Sequence, residues 1–493
     1  MVAPVRWIAR QLGYTPITRR AGFDAARTTD ENRKHWANAD SLSAVSQLTT
    51  AVRKTLRDRC RYEVQNNCFA AGVIRTLVGD TIGSGPRLQM LTSDAALNAA
   101  VEEQWRLWTA ATDHAMKLRI LAGVKYVTGE CFAVYRDSKR LEQLGFPVTL
   151  DIRLIEPDQV SDGIYGQLFT RAGDDGIVVD ENDEVSAYKI LKRHPGDNRM
   201  YGGLSLQPDE VPSENVLHWF EPQRPGQLRG FTELAPALPI FGQLRRYTSA
   251  TLTAAEVAAM LAGVLETPLA PDEEPIRSST LWDTIELVRG TLLTLPAGYK
   301  ASQFQATQPT AGYDQFVKAK IRECGRAINM PYGKVAGDHS EYNYSSARLD
   351  NENYWLDRQT ERNALQVKVF DPCFYRWCDF ARFAIPHLAA FRGRWWELKH
   401  VWHYDARISI DPVKDANGDE RNLTNGTDTL AAIAARDGTT VDELLDQRAR
   451  ERDGFIARGL PLPVWLTGAP QAASPSNATQ PTNDDEEVPA HAA

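Results

Sequence analysis

The chain is poor in the features that mark a metalloenzyme, a membrane protein or a tight nucleic-acid binder. Its six cysteines (Cys60, Cys68, Cys131, Cys324, Cys373 and Cys378) form no CxxC pair and show no metal-ligand spacing. Neither a structural zinc site nor a redox motif is expected, and the thiols read as buried and reduced. No stretch reaches the ~18–20 uninterrupted apolar residues of a membrane span. The basic opening MVAPVRWIARQLGYTPITRR lacks the apolar core of a signal peptide, so a soluble intracellular product is expected. A positive excess is missing as well. The formal net charge is −8, and Asp484, Asp485, Glu486 and Glu487 contribute four of those charges in a tail without Lys or Arg. The remainder is close to neutral, which argues against a tight grip on DNA but not against a passage through which DNA slides. The glycines of TIGSGPR (residues 81–87) follow a helical pattern and lack a Gly-Lys-Ser/Thr ending, so they read as a helix stop and turn. Neither a cofactor nor a metal is expected.

The chain does have material for a large core, with 43% hydrophobic and 9% aromatic residues over 493 positions, enough for roughly three domains. Helical spacing covers residues 41–62, CFAAGVIRTLVGD, and SDAALNAAVEEQWRLW with Ser93 or Asp94 as N-cap. The five bases of RKTLRDRCRY read first as a solvated helical face, with a phosphate or acidic-partner contact as the minority reading. The period then changes. Val148, Leu150, Ile152 and Leu154 alternate, GIVVD and VSAYKIL flank a turn at ENDE, and NVLHWF follows. Residues 145–222 are therefore a mostly β module between helical parts. His218 reads as a packed or hydrogen-bonded histidine. Glu130 in TGECF and Asp158 in EPDQV have no His or metal cluster beside them in the sequence.

A long alanine-rich helix is expected from Pro239 to Leu265, roughly 40 Å in length. Ala250, Ala254, Ala258 and Ala262 form an i, i+4 row along which another helix can pack closely. A core helix of a bundle within one subunit fits that spacing equally well. Residues 267–309 read as a small α/β insertion, and GYDQFVKAKIRECGRAINMPY returns as a helix that stops before Pro331. Next comes GDHSEYNYSSARLDNENYW, with Asp338, His339 and Ser340 in a row. Consecutive residues seldom converge on one substrate atom, so a hydrolase is the disfavoured reading of this loop. Gly337 relaxes the backbone, and Asn343 or Ser345 can cap a helix from Ser346 to Phe370. Asp371-Pro372 reads as the N-cap and first turn of a separate helix. WHYDARISIDPVKDANGDE reads as extended and then irregular, two short helices follow, and the composition from Gly468 onward is that of a disordered tail.

Several stretches, taken in order, resemble the lambda-like family of phage portal proteins over roughly residues 20–465. They are RYEVQNNCFAAGVIRTLVGDTIGSGPRLQ, EPDQV, GIVVD, AYKI, VPSENVLHWFEPQRPGQLRGFTELAPAL, PYGKVAGDHSEYNYSSAR and IDPVKDANG. The resemblance implies an α+β portal fold with an α/β wing, a two-helix stem, a small α/β clip and a helical crown. Residues 1–19 would be an arm, 20–230 and 346–415 the wing, 231–266 and 310–331 the stem helices, and 267–309 the clip. Residues 332–345 would be the tunnel loop, 416–465 the crown and 466–493 the tail.

The same resemblance implies a ring, usually of twelve copies, at one capsid vertex, serving DNA entry and ejection without being an enzyme. Asp338, His339, Ser340, Glu341, Tyr342, Asn343 and Tyr344 would face passing double-stranded DNA. Arg277, Asp283 and Glu286 of the clip would dock the terminase large subunit and later the head–tail adaptor. The wing would meet the major capsid protein and scaffold. The protein would assemble in the host cytoplasm and reside in the virion, with no membrane partner. Another head–tail connector ring is the alternative.

Overall fold

The computed structural model of the chain describes residues 29–30, 33–163, 175–197, 207–260, 264–266, 300–302, 312–340, 342–406, 411–436, 439–463 and 466. Local chemistry sets the first helices. Thr49 and Asn67 cap α1 (Thr50–Asn66) and α2 (Cys68–Thr81), accepting from the N–H groups of Val52 and Phe69. On α2, Ala70, Val73, Ile74, Leu77 and Thr81 are buried, one stripe at helical spacing. Asp94 caps α3 (Ala95–Ala111) by accepting from Ala96 and Leu97. That helix buries Leu97, Val101, Trp105 and Trp108, and α4 (His114–Thr128) follows and ends at Gly129. Trp105 sits at the centre of an aromatic cluster, 4.9 to 5.6 Å from the rings of Trp108, Phe374, Trp377 and Trp402. Each such contact adds about 0.5–1.5 kcal/mol beyond area burial.

Two small antiparallel sheets lie on this helical base, and a third packs on one of them through Phe132, Ile155, Ile177, Tyr188 and Ile190. The strand β1 (Arg87–Met90) pairs with β10 (His400–His403), joining distant parts of the chain. The strand β2 (Glu130–Asp137) is the centre of a sheet, flanked by β3 (Leu150–Ile155) and β7 (Val216–Phe220). The strands β4 (Ile177–Val179), β5 (Val185–Leu191) and β6 (Pro208–Pro212) form the next sheet, in that order. The turn at residues 180–184 joins β4 to β5 as the alternation predicts. The β module begins earlier than its expected start at 145. Residues 130–133 of β2 are all buried, so the strand shows no alternation to read.

The long helix is α5 (Leu238–Met260). Two short strands, β8 (Val264–Glu266) and β9 (Lys300–Ser302), pair antiparallel and bring the ends of the intervening insertion together. The helix α6 (Tyr313–Arg326) lies against α5, with Tyr247 4.5 Å from Phe316 and 5.6 Å from Tyr313. A short helix, α7 (Tyr332–Ala336), precedes α8 (Tyr344–Leu365).

Two expectations after this point are corrected. Asp371 does not cap a separate helix. A π-helical turn, Gln366–Phe370, links α8 without a break to α9 (Asp371–Ala381). The N–H of Asp371 bonds the carbonyl of Gln366, five residues back, and this wider turn makes room for Pro372, which has no N–H to offer. The Asp371 carboxylate instead accepts from Trp402 Nε1 at 2.8 Å and lies 3.2 Å from His400 Nε2. The irregular stretch expected after residue 411 is also a helix, α10 (Pro412–Asn425), capped by Asp411 with proline in its first turn. The helices α11 (Leu430–Arg436) and α12 (Val441–Ala457) follow, and a capping box between Thr440 and Glu443 fixes the start of α12.

Candidate functional site

The 337–343 loop hangs between α7 and α8 beside the foot of α6. After α6 the chain turns sharply, with Asn329 at φ +53° and the Met330 N–H bonded to the Gly325 carbonyl at 2.9 Å. Lys334 of α7 pairs with Asp80 at 2.9 Å and lies over the ring of Tyr354 at 4.7 Å, tying α7 to α2 and α8. Gly337 closes α7 at φ +67°, a conformation that favours glycine. Asn343 starts α8 by accepting from the Ser346 N–H at 2.8 Å, which resolves the choice of cap in favour of Asn343.

Between those ends the loop folds back on α7. The Asp338 carboxylate accepts from the Ser340 N–H at 3.0 Å and from the Tyr332 hydroxyl at 3.3 Å. Hydrogen bonds from Ser340 hold the Asp338 carboxyl below the ordinary aspartate range, so it stays ionised near neutral pH. Tyr342 reaches back so that its hydroxyl accepts from the Gly333 N–H at 3.1 Å, and burial pushes its phenol up. The His339 ring lies 5.8 Å from that of Tyr342, and both crowd Gly333, where a side chain would collide with the imidazole. Asp338 and His339 are therefore engaged separately, without the Asp–His–Ser relay a nucleophile needs. His339, Ser340 and Asn343 are exposed, while Asp338 and Tyr342 are half-buried. Tyr344 opens α8, and Glu341 lies outside the described residues.

A cleft of about 540 Å³ opens beside this loop, lined by Arg322, Arg326, Tyr332, Asp350, Leu356 and Asp357 among others. It separates the C-terminal end of α6 from α8. Along α5, no side chain from Arg245 to Glu256 is buried, and Ala250 and Ala254 are exposed. The first turns of the helix do enter the core of the subunit through Leu238, Phe241 and Leu244, but the exposure of Ala250 and Ala254 leaves that part of the alanine row without a partner inside the subunit. Ala258 belongs to α5 by backbone, but its side chain lies outside the described residues, as do Ala262, Arg277, Asp283 and Glu286.

Three clusters were invisible in the sequence. In the first, the RPGQLRG stretch, residues 224–230, wraps a buried ion pair. Arg229 grips Glu130 through Nη2–Oε1 at 2.7 Å and Nε–Oε2 at 2.9 Å. The same guanidinium donates to the carbonyls of Val160 and Pro157, and the Gly230 N–H donates to Glu130 at 2.9 Å. Burial alone would raise the Glu130 carboxyl, but the Arg229 guanidinium and its hydrogen bonds, with His218 close by, hold it well below the usual range. His218 is stacked between Phe132 at 4.2 Å and Phe220 at 4.5 Å, packed as expected. It also lies 3.5 Å from Glu130, so the expectation that Glu130 has no histidine beside it is corrected. Gly129, at φ +91°, passes so close to Phe231 that a Cβ would sit 1.9 Å from its carbonyl carbon. Only glycine permits that crossing.

In the second cluster, Asp158 likewise has a histidine nearby. Glu156, Asp158 and His194 bring their ligand atoms within 4.8 Å of one another. Arg61 already donates to both carboxylates, at 2.9 and 2.6 Å. His194 Nδ1 accepts from the Gly196 N–H, and its Nε2 faces the acids at 3.5 and 3.7 Å. Arginine answers these carboxylates. The solvated face expected on α1 is corrected by the same contacts. Arg53 and Arg57 are buried and pair with Asp175 and Asp158.

The third cluster lies under α8, where the buried Lys125 bonds Glu233 and, at 2.7 Å, Glu361. Burial opposes its charge, yet these carboxylates hold the ammonium above the ordinary lysine range. Of the cysteines, Cys68 is exposed and the other five are buried.

Comparison with known proteins assigns the family. Residues 30–362 match the family described as phage portal protein, lambda family. The probable portal protein of Halomonas phage phiHAP-1 is 23% identical over 509 residues, covering 95% of this chain and 92% of that protein. Portal protein B of Escherichia phage lambda is 22% identical over 462 residues, covering 82% and 85%. Among solved structures, the neck of an empty GTA particle aligns with a TM-score of 0.42 at 12% identity, covering 82% of this chain and 93% of that one. The family match spans more than half of the sequence, and the chain belongs to the lambda family of phage portal proteins.

Proposed function

We propose that twelve copies of this chain close into a ring at one capsid vertex, and that the ring is the channel through which double-stranded DNA enters and leaves. Family membership carries this reading. The exposure of Ala250 and Ala254 on α5 supports it, because a small-residue edge with an uncovered surface suits close packing against the next subunit. Such a ring needs one face of each subunit to meet a different face of its neighbour. In this reading α5 and α6 are the stem, residues 267–309 the clip and 416–465 the crown. Arg277, Asp283 and Glu286 dock the terminase large subunit and then the head–tail adaptor. The wing meets the major capsid protein and scaffold. The ring assembles in the host cytoplasm and persists in the virion.

The 337–343 loop is the DNA-facing rim. An ionised Asp338 repels phosphate, and a wall with few fixed cations avoids the counterion-release affinity that would stall sliding DNA. The separate engagement of Asp338 and His339 favours this over a hydrolase. Native mass spectrometry tests the ring. A species at twelve times 55.0 kDa is expected, and a protein that stays monomeric under assembly conditions would overturn the proposal. The loop is tested by Asp338→Lys, which should leave the ring intact and slow packaging. Unchanged packaging by intact rings would remove the loop from the channel.

A further inference from the structure

The segment between α9 and β10 carries an exposed surface of positive charge and large aromatics. Arg382, Arg392, Arg394 and Lys399 are exposed there, and none forms an ion pair with a described residue. Of the acids nearby, Asp379 is taken by Arg376 at 3.7 Å and by Trp395 Nε1 at 2.7 Å, and Glu397 accepts from the Arg394 N–H at 3.3 Å. Two large aromatic side chains stand among these cations. Phe383 is 87% exposed and Trp396 61% exposed. The Arg394 guanidinium lies 4.9 Å from the Trp396 ring, and that of Arg382 lies 5.9 Å from Phe383. Exposed Trp and Phe held beside Arg make the composition of a binding hot spot, and the uncompensated positive charge selects an acidic occupant.

We propose that this patch is the docking site of the chain's own acidic segment, Asp484–Glu487. The charges are complementary: Asp484, Asp485, Glu486 and Glu487 are consecutive, and no Lys or Arg occurs after Arg458. Val488 and Pro489 follow at once and supply apolar surface for Phe383 and Trp396. The tether is long enough. Glu443 at the start of α12 pairs with Arg87 at 3.7 Å, and β1 is the ladder partner of β10, which Lys399 immediately precedes. The helix α12, with 17 residues, leads about 25 Å away from that point. The 18 residues from Leu466 to Asp484 cover about 60 Å when extended, enough for the return. Individual exposed ion pairs are weak and screened by salt, but a tether of this kind supplies an effective concentration on the order of millimolar.

Zero-length carbodiimide cross-linking of the full chain tests the contact, because Lys399 is the amine of the patch. At low salt a cross-linked peptide should join Lys399 to residues 484–487. Its yield should fall at least about fivefold in 1 M NaCl, where the Debye length is about 3 Å. The variant Arg382→Glu/Arg392→Glu/Arg394→Glu, which keeps Lys399, should lose the product by about tenfold. Absence of the Lys399 product at low salt, or a yield indifferent to salt and charge reversal, overturns the docking. Removal of residues 483–493 gives a second readout. Acrylamide quenching assigned to Trp396, by difference from Trp396→Phe, should rise and be restored by a synthetic peptide of residues 483–493. If quenching is unchanged, or a 20-base-pair duplex binds this patch equally well with and without the tail, the tail is not its occupant.

Discussion

Replacing Arg229 by Met should destabilise the protein by about 3–5 kcal/mol, because it leaves the Glu130 carboxylate buried without its cation. At 2.7 Å the direct attraction is about 6 kcal/mol for an effective dielectric near 20. Desolvation of both ions offsets most of that, so the intact pair adds little over an apolar pair of similar volume. The single variant loses the attraction and keeps one of the two penalties. It also strips the donor from the carbonyls of Val160 and Pro157. Glu130→Leu should cost a similar amount by leaving Arg229 charged in the interior. The double variant Glu130→Leu/Arg229→Met should be much closer to wild type than the sum of the two, with a coupling of about 2–4 kcal/mol.

Urea unfolding of the purified chain gives these differences from midpoints at constant slope. Acid supplies a second axis. The folded carboxyl of Glu130 is held below its unfolded value of about 4.3, so its stabilisation is complete above that pH and lost as pH falls toward the folded value. The double variant should lack that component of the acid limb. Additivity of the two single effects within about 0.5 kcal/mol would refute the idea that RPGQLRG exists to seat this ion pair.

The buried His114 makes a prediction in a higher pH range. Burial pushes its imidazole down to about 3, whereas the unfolded chain takes the proton near 6.5. Stability should therefore fall as pH drops from 6.5 toward 3, by up to about 1.4 kcal/mol per pH unit, and His114→Phe should flatten that slope in urea titrations. Gly129→Ala should abolish soluble expression, since its Cβ meets Phe231 at 1.9 Å in a left-handed backbone, as measured by the soluble fraction. Gly72→Ala is the control: with open space around it inside α2, it should stabilise by about 1 kcal/mol. Asn343→Ala should remove the cap of α8 at about 1 kcal/mol, and hydrogen exchange should show faster exchange at residues 344–348 alone.

Much of this protein was legible from local rules. Asp94 and Asn343 cap helices because a short polar side chain can reach the N–H groups two or three residues ahead. The β4–β5 hairpin followed from alternation on either side of a polar turn. The order of motifs identified the portal family, since it is carried by the sequence itself. What failed to show depended on groups far apart in the chain. Glu130 and Arg229 are 99 positions apart, Lys125 and Glu361 are 236 apart, and no periodicity announces either pair. The bases of α1 looked solvated until Asp158 and Asp175 folded over them, and Asp371 looked like a cap until Trp402 claimed its carboxylate. Sequence determined where most helices start and stop, because helical hydrogen bonds and caps are settled within a few residues, whereas a strand such as β1 finds its hydrogen bonds only when β10 arrives from the far end of the chain. Tertiary structure alone decided which charges are buried, because a charge can leave water only where a distant partner arrives to meet it.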